Sequence, residues 1–271
     1  MRPDCAIVSA ADTVTGAAKP KHLRLALAWG IASALAIAAV LPYVFAAMPA
    51  MLAKLPVSLP VFAAIQIVQG SAIIALLSWI GLRLGQPLGL DSPFARALVY
   101  RTPFPRVSKK ALAGACLAGL ITGAVLSGLD KAFEPFMPAM TQPLPAAGIA
   151  FWKRIVASFY GGIAEELICR LFLMTVISWI VWKTVLKGKT APSGTAVMIG
   201  IVGAALLFGI AHLGAAAQLW PLTPVVIAKV IALNAIGGIV FGLIFSRRGL
   251  EHAMCAHFCA DIVIQSVAAM A

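Results

Sequence analysis

Phe159-Tyr-Gly-Gly-Ile-Ala-Glu165-Glu166-Leu-Ile-Cys-Arg170-Leu-Phe-Leu-Met174 sets two adjacent carboxylates and a guanidinium inside an otherwise apolar run. A charge at the centre of a membrane helix costs about 2.5–3.5 kcal/mol on insertion scales, so such residues are rare, face a bundle interior and mark a site. On a helix, Glu166 and Arg170 lie four apart on one face and can pair, whereas Glu165 is rotated about 100° away. Pairing neutralises one carboxylate and leaves the other over. A carboxylate left over among apolar neighbours suits a base that takes up a proton near neutral pH.

The rest of the chain places this stretch in a membrane protein. Hydrophobic residues make up 62% of the 271 and charged ones only 11%, with a mean hydropathy of +0.99, values outside the range of soluble domains. The net charge of +12 does not point to nucleic acid, because the basic residues fall in short groups between apolar spans rather than in a stripe with interleaved aromatics. Five scattered cysteines, four of them inside apolar spans, argue against a disulfide framework. Cys255-Ala-His257-Phe-Cys259 has the look of a metal cluster, but on a helix His257 points roughly 200° away from Cys255 and cannot converge with both thiols.

Apolar runs of spanning length lie at 23–47, 58–82, 110–129, 149–187, 195–219, 222–245 and 250–270, each near or above the ~20 residues a bilayer requires. The expected fold class is therefore an all-α polytopic bundle of seven transmembrane helices. Eight is the alternative, if the long fourth run bends into two helices at Gly161-Gly162. Fifteen Lys and Arg fall on one side of such a bundle and four on the other, which sets the N-terminus in the cytoplasm and the C-terminus outside. Residues 1–20 read as a disordered cytoplasmic tail, and 21–130 as three N-terminal helices with a Pro- and Arg-rich linker, 84–109, whose aromatics let it lie on anionic lipid. Residues 149–265 hold the remaining helices and nearly all the intramembrane polar groups.

Three of those groups extend the opening motif: His212 in Phe208-Gly-Ile-Ala-His212, and His257 and Asp261, four apart on one helical face. Counted from a hairpin turn near Lys189, Glu165 lies 24 residues back and His212 23 forward, so antiparallel neighbours bring them level. His257 is only eight residues past Gly249. Its depth agrees only if the hairpin overhangs the cytoplasmic side and the cavity lies in the inner half of the bilayer. Glu251, His252 and His22 read as interfacial, Lys229 as snorkelling or turned inward, and Asn234, Gln66 and Gln69 as interhelical hydrogen-bonding groups.

Glu165-Glu166-x-x-x-Arg170, Phe208-x-x-x-His212 and His257-x-x-x-Asp261, in that order in adjacent spans, resemble the three-motif signature of the CAAX-protease and bacteriocin-processing (CPBP, or Abi) family of intramembrane proteases. The run from Gly238 to Phe258 is similar to that family's last hairpin, and the resemblance covers about 149–265. It implies an endopeptidase in which Glu165 is the general base, His212 holds the water, His257 stabilises the oxyanion, and Glu166 with Arg170 braces the helix. Asp261 departs from the Asn of the eukaryotic prenyl proteases, since an ionised Asp cannot donate a hydrogen bond. Either it is protonated, or it orients His257, or the four residues Glu165, His212, His257 and Asp261 bind divalent zinc. The metal-free reading, with no cofactor, is the one favoured. No His-Glu-x-x-His, Gly-x-Ser-Gly or Gly-x-Gly-Asp motif supports a rival protease chemistry. The resemblance further implies a multi-pass protein of a bacterial inner membrane, acting on a membrane-associated protein or peptide and not on nucleic acid. The alternative function is a non-proteolytic scaffold or bacteriocin-immunity protein of the same fold.

Overall fold

Long runs without charges leave a backbone in lipid one economical way to satisfy its N–H and C=O groups, and the chain takes it. In the computed structural model, which describes residues 22–106, 108–141, 148–186 and 194–270, every regular element is helical. They are α1 (His22–Ala47), α2 (Leu59–Gly85), α3 (Pro93–Tyr100), α4 (Lys109–Phe133), α5, α6 (Gly194–Ala211), α7 (Pro224–Arg248) and α8 (Leu250–Met270), with single-turn helices between some of them. The tail 1–20, Lys21 and the turn holding Lys187 and Lys189 lie outside the described residues.

Six helices, α1, α2, α4, α6, α7 and α8, are long and apolar enough to cross a membrane, one fewer than the seven expected. The fourth apolar run, α5, is not among them because no single α-helical piece of it reaches spanning length. It is a continuous helical run in successive pieces: α-helical over Phe151–Phe159, π-helical over Tyr160–Glu165 and again over Leu167–Met174, and α-helical over Thr175–Thr184. Gly161-Gly162 therefore does not separate two helices. It falls inside the first π-helical piece, where the hydrogen-bond register widens, a feature that recurs at functional sites.

The lipid-facing surface follows from the absence of a polar face. Leu23, Leu27, Ile31 and Leu35 form an exposed stripe on α1, which water would penalise and acyl chains accept. Inside, α1 packs along α2, α7 along α6 and α8 along α4. The π-helical stretch of α5 is the centre, touching α1, α2, α6, α7 and α8. Small residues permit these approaches: a Cβ on Gly119 of α4 would run into the Ala256 carbonyl of α8.

Several polar groups sit differently from their sequence reading. Asn234 bonds the Val230 carbonyl of its own helix at 2.8 Å rather than a neighbouring one, while Gln66 and Gln69 are exposed on the outer face of α2. Glu251 and His252, at the start of α8, both engage the linker. Glu251 Oε1 accepts from the N–H groups of Phe94 (2.9 Å) and Ala95 (2.8 Å) and from the Ser92 hydroxyl (3.0 Å), capping α3 from a distant helix. His252 is buried against Phe94, and His22 is buried with Nδ1 3.5 Å from Arg96 Nη2. Arg96 is itself held by both oxygens of Asp91 at 2.6 and 2.7 Å. The linker thus docks on the end of the bundle, with Leu98 and Phe104 still exposed. Lys229 is turned inward and pairs with Asp130 at 2.8 Å.

His257 and Glu165 do come level, with His257 Nε2 3.7 Å from Glu165 Oε2. Gly81, one turn from the end of α2, lies against the Leu171 carbonyl of α5, and Thr175–Thr184 also packs on α2. The turn at which the α5–α6 hairpin is expected to overhang lies outside the described residues.

Candidate active site

Four helices contribute to the polar centre, and each side chain is held by a local contact. Glu165 and Glu166 come from the π-helical stretch of α5, His212 from the end of α6, and His257 and Asp261 from α8. Phe241 of α7 closes the fourth side by stacking on the His257 ring, centroids 4.5 Å apart and planes inclined 21°.

Glu166 is fully buried and lies between two cations or potential cations. Its Oε1 is 3.2 Å from Arg170 Nη1 and 2.8 Å from His257 Nδ1. The first contact is the pair expected from spacing. The second, 91 residues away in sequence, is the ring's short hydrogen bond, and no sequence signal singled it out. Arg170 is fixed between two rings, its guanidinium carbon 5.2 Å from the Phe208 centroid and 5.4 Å from that of Phe241, the geometry of a desolvated cation–π contact. The widened turn also frees the Arg170 carbonyl, which accepts from the Thr175 hydroxyl at 3.2 Å.

His212 Nδ1 donates to the Phe208 carbonyl at 2.8 Å, because a carbonyl can only accept. The neutral ring then presents the lone pair of Nε2, which lies 3.9 Å from Glu165 Oε1. His257 Nε2 lies 3.7 Å from the other oxygen, Glu165 Oε2, and 3.6 Å from Asp261 Oδ1. Glu165 thus stands between two imidazoles, one at each oxygen. Asp261 reaches the cluster because residue 161 is glycine: a Cβ there would collide with Asp261 Oδ2 and approach His257 Nε2.

Exposure divides the cluster. Glu166, Arg170 and His257 are 7% exposed or less, whereas Glu165, Asp261 and His212 are 20%, 23% and 34% exposed. One layer is locked in the interior and the other is partly exposed. Among the described residues, no group of three or more His, Cys, Asp and Glu side chains is gathered so as to hold a metal ion. The arrangement can place a small hydrogen-bonding molecule between Glu165 and His212, 3.9 Å apart and too far for a direct bond.

Residues 147–263, which contain every one of these groups, match the family described as Rce1-like: type II CAAX prenyl endopeptidase Rce1-like. The match covers less than half of the chain and is consistent with the CPBP resemblance. That family is one of membrane proteases, in keeping with the CPBP resemblance and with a multi-pass chain of six apolar helices. The matched stretch begins just before α5 and ends within α8, leaving α1 to α4 outside it. Comparison with curated proteins and with solved structures gives no match.

Proposed function

We propose that the chain is an intramembrane endopeptidase that hydrolyses a peptide bond of a membrane-presented protein or peptide through a water activated by Glu165 and His212. The observation that carries this reading is the position of Glu165, with one oxygen 3.9 Å from His212 Nε2 and the other 3.7 Å from His257 Nε2. A water between Glu165 and His212 donates one hydrogen to each, since both present lone pairs, and turns its own lone pair toward the scissile carbonyl. Glu165 takes the proton as the C–O bond forms and passes it to the leaving amine.

His257 serves the developing oxyanion. Its Nδ1–H is committed to Glu166, so Nε2 can donate only when the ring carries both protons. The surroundings suit that form: Glu165, Glu166 and Asp261 all lie within 4 Å of the ring, offset by a single Arg170. Preorganised donors in a dry pocket act most strongly on charge that develops during the reaction. Each of these steps uses only groups of the chain and the water. Adding α5 to the six apolar helices gives seven spans, with the N-terminus in the cytoplasm of a bacterial cell and the site in the inner half of its inner membrane.

The test uses purified protein in lipid vesicles and two peptides of one sequence, ending in a CAAX box with and without a prenyl group. Wild type cleaves at least one of them, and Glu165→Gln lowers the rate by about 10²–10⁴-fold with unchanged thermal unfolding. Unchanged cleavage in Glu165→Gln refutes the mechanism, and a membrane phenotype that survives the substitution favours the scaffold reading. Stoichiometric zinc in wild type, lost in His212→Ala, contradicts the metal-free steps.

A further inference from the structure

The first turn of α4 and the last turn of α7 meet beside a cavity of about 290 Å³, away from the catalytic cluster. Its floor is Ala111, Gly114 and Ala115 of α4 with Leu243 and Ile244 of α7, and its rim is Lys110, Arg247 and Arg248. The cavity exists because α4 is nearly bare on this face. A Cβ added at Gly114 would meet no atom within 4 Å, in contrast to Gly119, which is pressed against α8.

The charge around the rim is uncompensated. α4 carries Lys109 and Lys110 in its first turn and no acid there, so cations sit at the positive end of the helix dipole, where anions are favoured. Arg247 and Arg248 add two more from α7. Among the described residues, none of Lys110, Arg247 and Arg248 joins an ion pair. The acids of the adjoining α3 region are engaged elsewhere, Asp91 with Arg96 and Glu251 with the start of α3.

We propose that this cavity binds the headgroup of an anionic phospholipid, the phosphodiester among Lys110, Arg247 and Arg248 and the first carbons of the chains against the apolar floor. The size agrees, falling just below the ~300 Å³ where pockets for larger organic ligands begin. The place agrees as well, since basic pockets between membrane helices at their ends take anionic headgroups. Occupancy joins the ends of α4 and α7, both of which pack against α8, the helix that carries His257.

The test is native mass spectrometry of the full chain in detergent, titrated with phosphatidylglycerol and with phosphatidylcholine of the same acyl chains. Wild type retains phosphatidylglycerol at least about tenfold more strongly. Lys110→Gln/Arg247→Gln/Arg248→Gln abolishes the preference by removing charge, and Gly114→Leu abolishes it by filling the cavity with every charge in place. Lys54→Gln/Arg101→Gln/Arg106→Gln, which removes equal charge elsewhere, retains it. Retention in Gly114→Leu, or equal loss in the remote triple variant, overturns the site in favour of diffuse surface attraction. Displacement of the lipid by inorganic phosphate at equal concentration overturns the lipid in favour of a free phosphate.

Discussion

Arg170 shows how much of this site depends on one buried charge. It balances Glu166, and Glu166 in turn holds His257 by Nδ1, so guanidinium, carboxylate and imidazole form one chain. Removing one partner of a buried pair leaves the other uncompensated, which costs about 3–5 kcal/mol. Arg170→Met should therefore destabilise the protein by that amount in thermal or denaturant unfolding. Arg170→Met combined with Glu166→Gln should recover part of the stability, because no bare charge remains, while His257 keeps an acceptor for Nδ1–H. If the single variant unfolds like wild type, the pair is not what locks this layer. At this scale the sequence was partly readable: the i,i+4 spacing gave Glu166–Arg170, and counting from a hairpin turn set Glu165 level with His212. The Glu166–His257 bond was not readable, because it depends on the rotation of α8 about its axis, which no local pattern encodes.

The helical elements carry two features that an α-helical projection misses. The first is the π-helical winding of α5, which alters the 100° step assumed between neighbouring residues and turns Glu165 and Glu166 toward a common centre. Gly161 is the tightest point in it. Gly161→Ala should place a methyl on the Asp261 carboxylate and lower peptide cleavage on the order of 10²-fold, the penalty of an approximately 1 Å misplacement. Gly128→Ala, where an added Cβ meets nothing within 4 Å, should leave cleavage unchanged, and equal effects of the two would show that position 161 has no special role. The second feature is Glu251, at the start of α8, whose carboxylate caps a helix far away in sequence. Its partners are 156 to 159 residues away. Glu251→Ala should uncap α3 at a cost of about 0.5–2 kcal/mol, seen as faster proteolysis within 86–106 at unchanged secondary structure. Unaltered proteolysis would mean that the linker is held by other contacts.

The whole molecule is a helical bundle in which six helices have the length and apolarity to span a membrane, and the proposed site lies on α5 between them. With α5 as a seventh span, a protease site added after Ala271 should be cut from outside intact cells, whereas a site inserted after Arg101 should be cut only in opened membranes. Cleavage after Ala271 only in opened membranes would reduce the span count to six or raise it to eight. Composition made the bundle legible because apolar length is a direct physical requirement of the bilayer, but the meeting of His257 with Glu165 emerges only from how α8 packs on α5. The central claim is that Glu165 makes a water nucleophilic within this enclosure, and single-turnover cleavage in ¹⁸O-labelled water addresses it most directly. One ¹⁸O in the new carboxylate, an unmodified enzyme mass and loss of turnover in Glu165→Gln are the result expected; a covalent acyl-enzyme, or full turnover in Glu165→Gln, contradicts it.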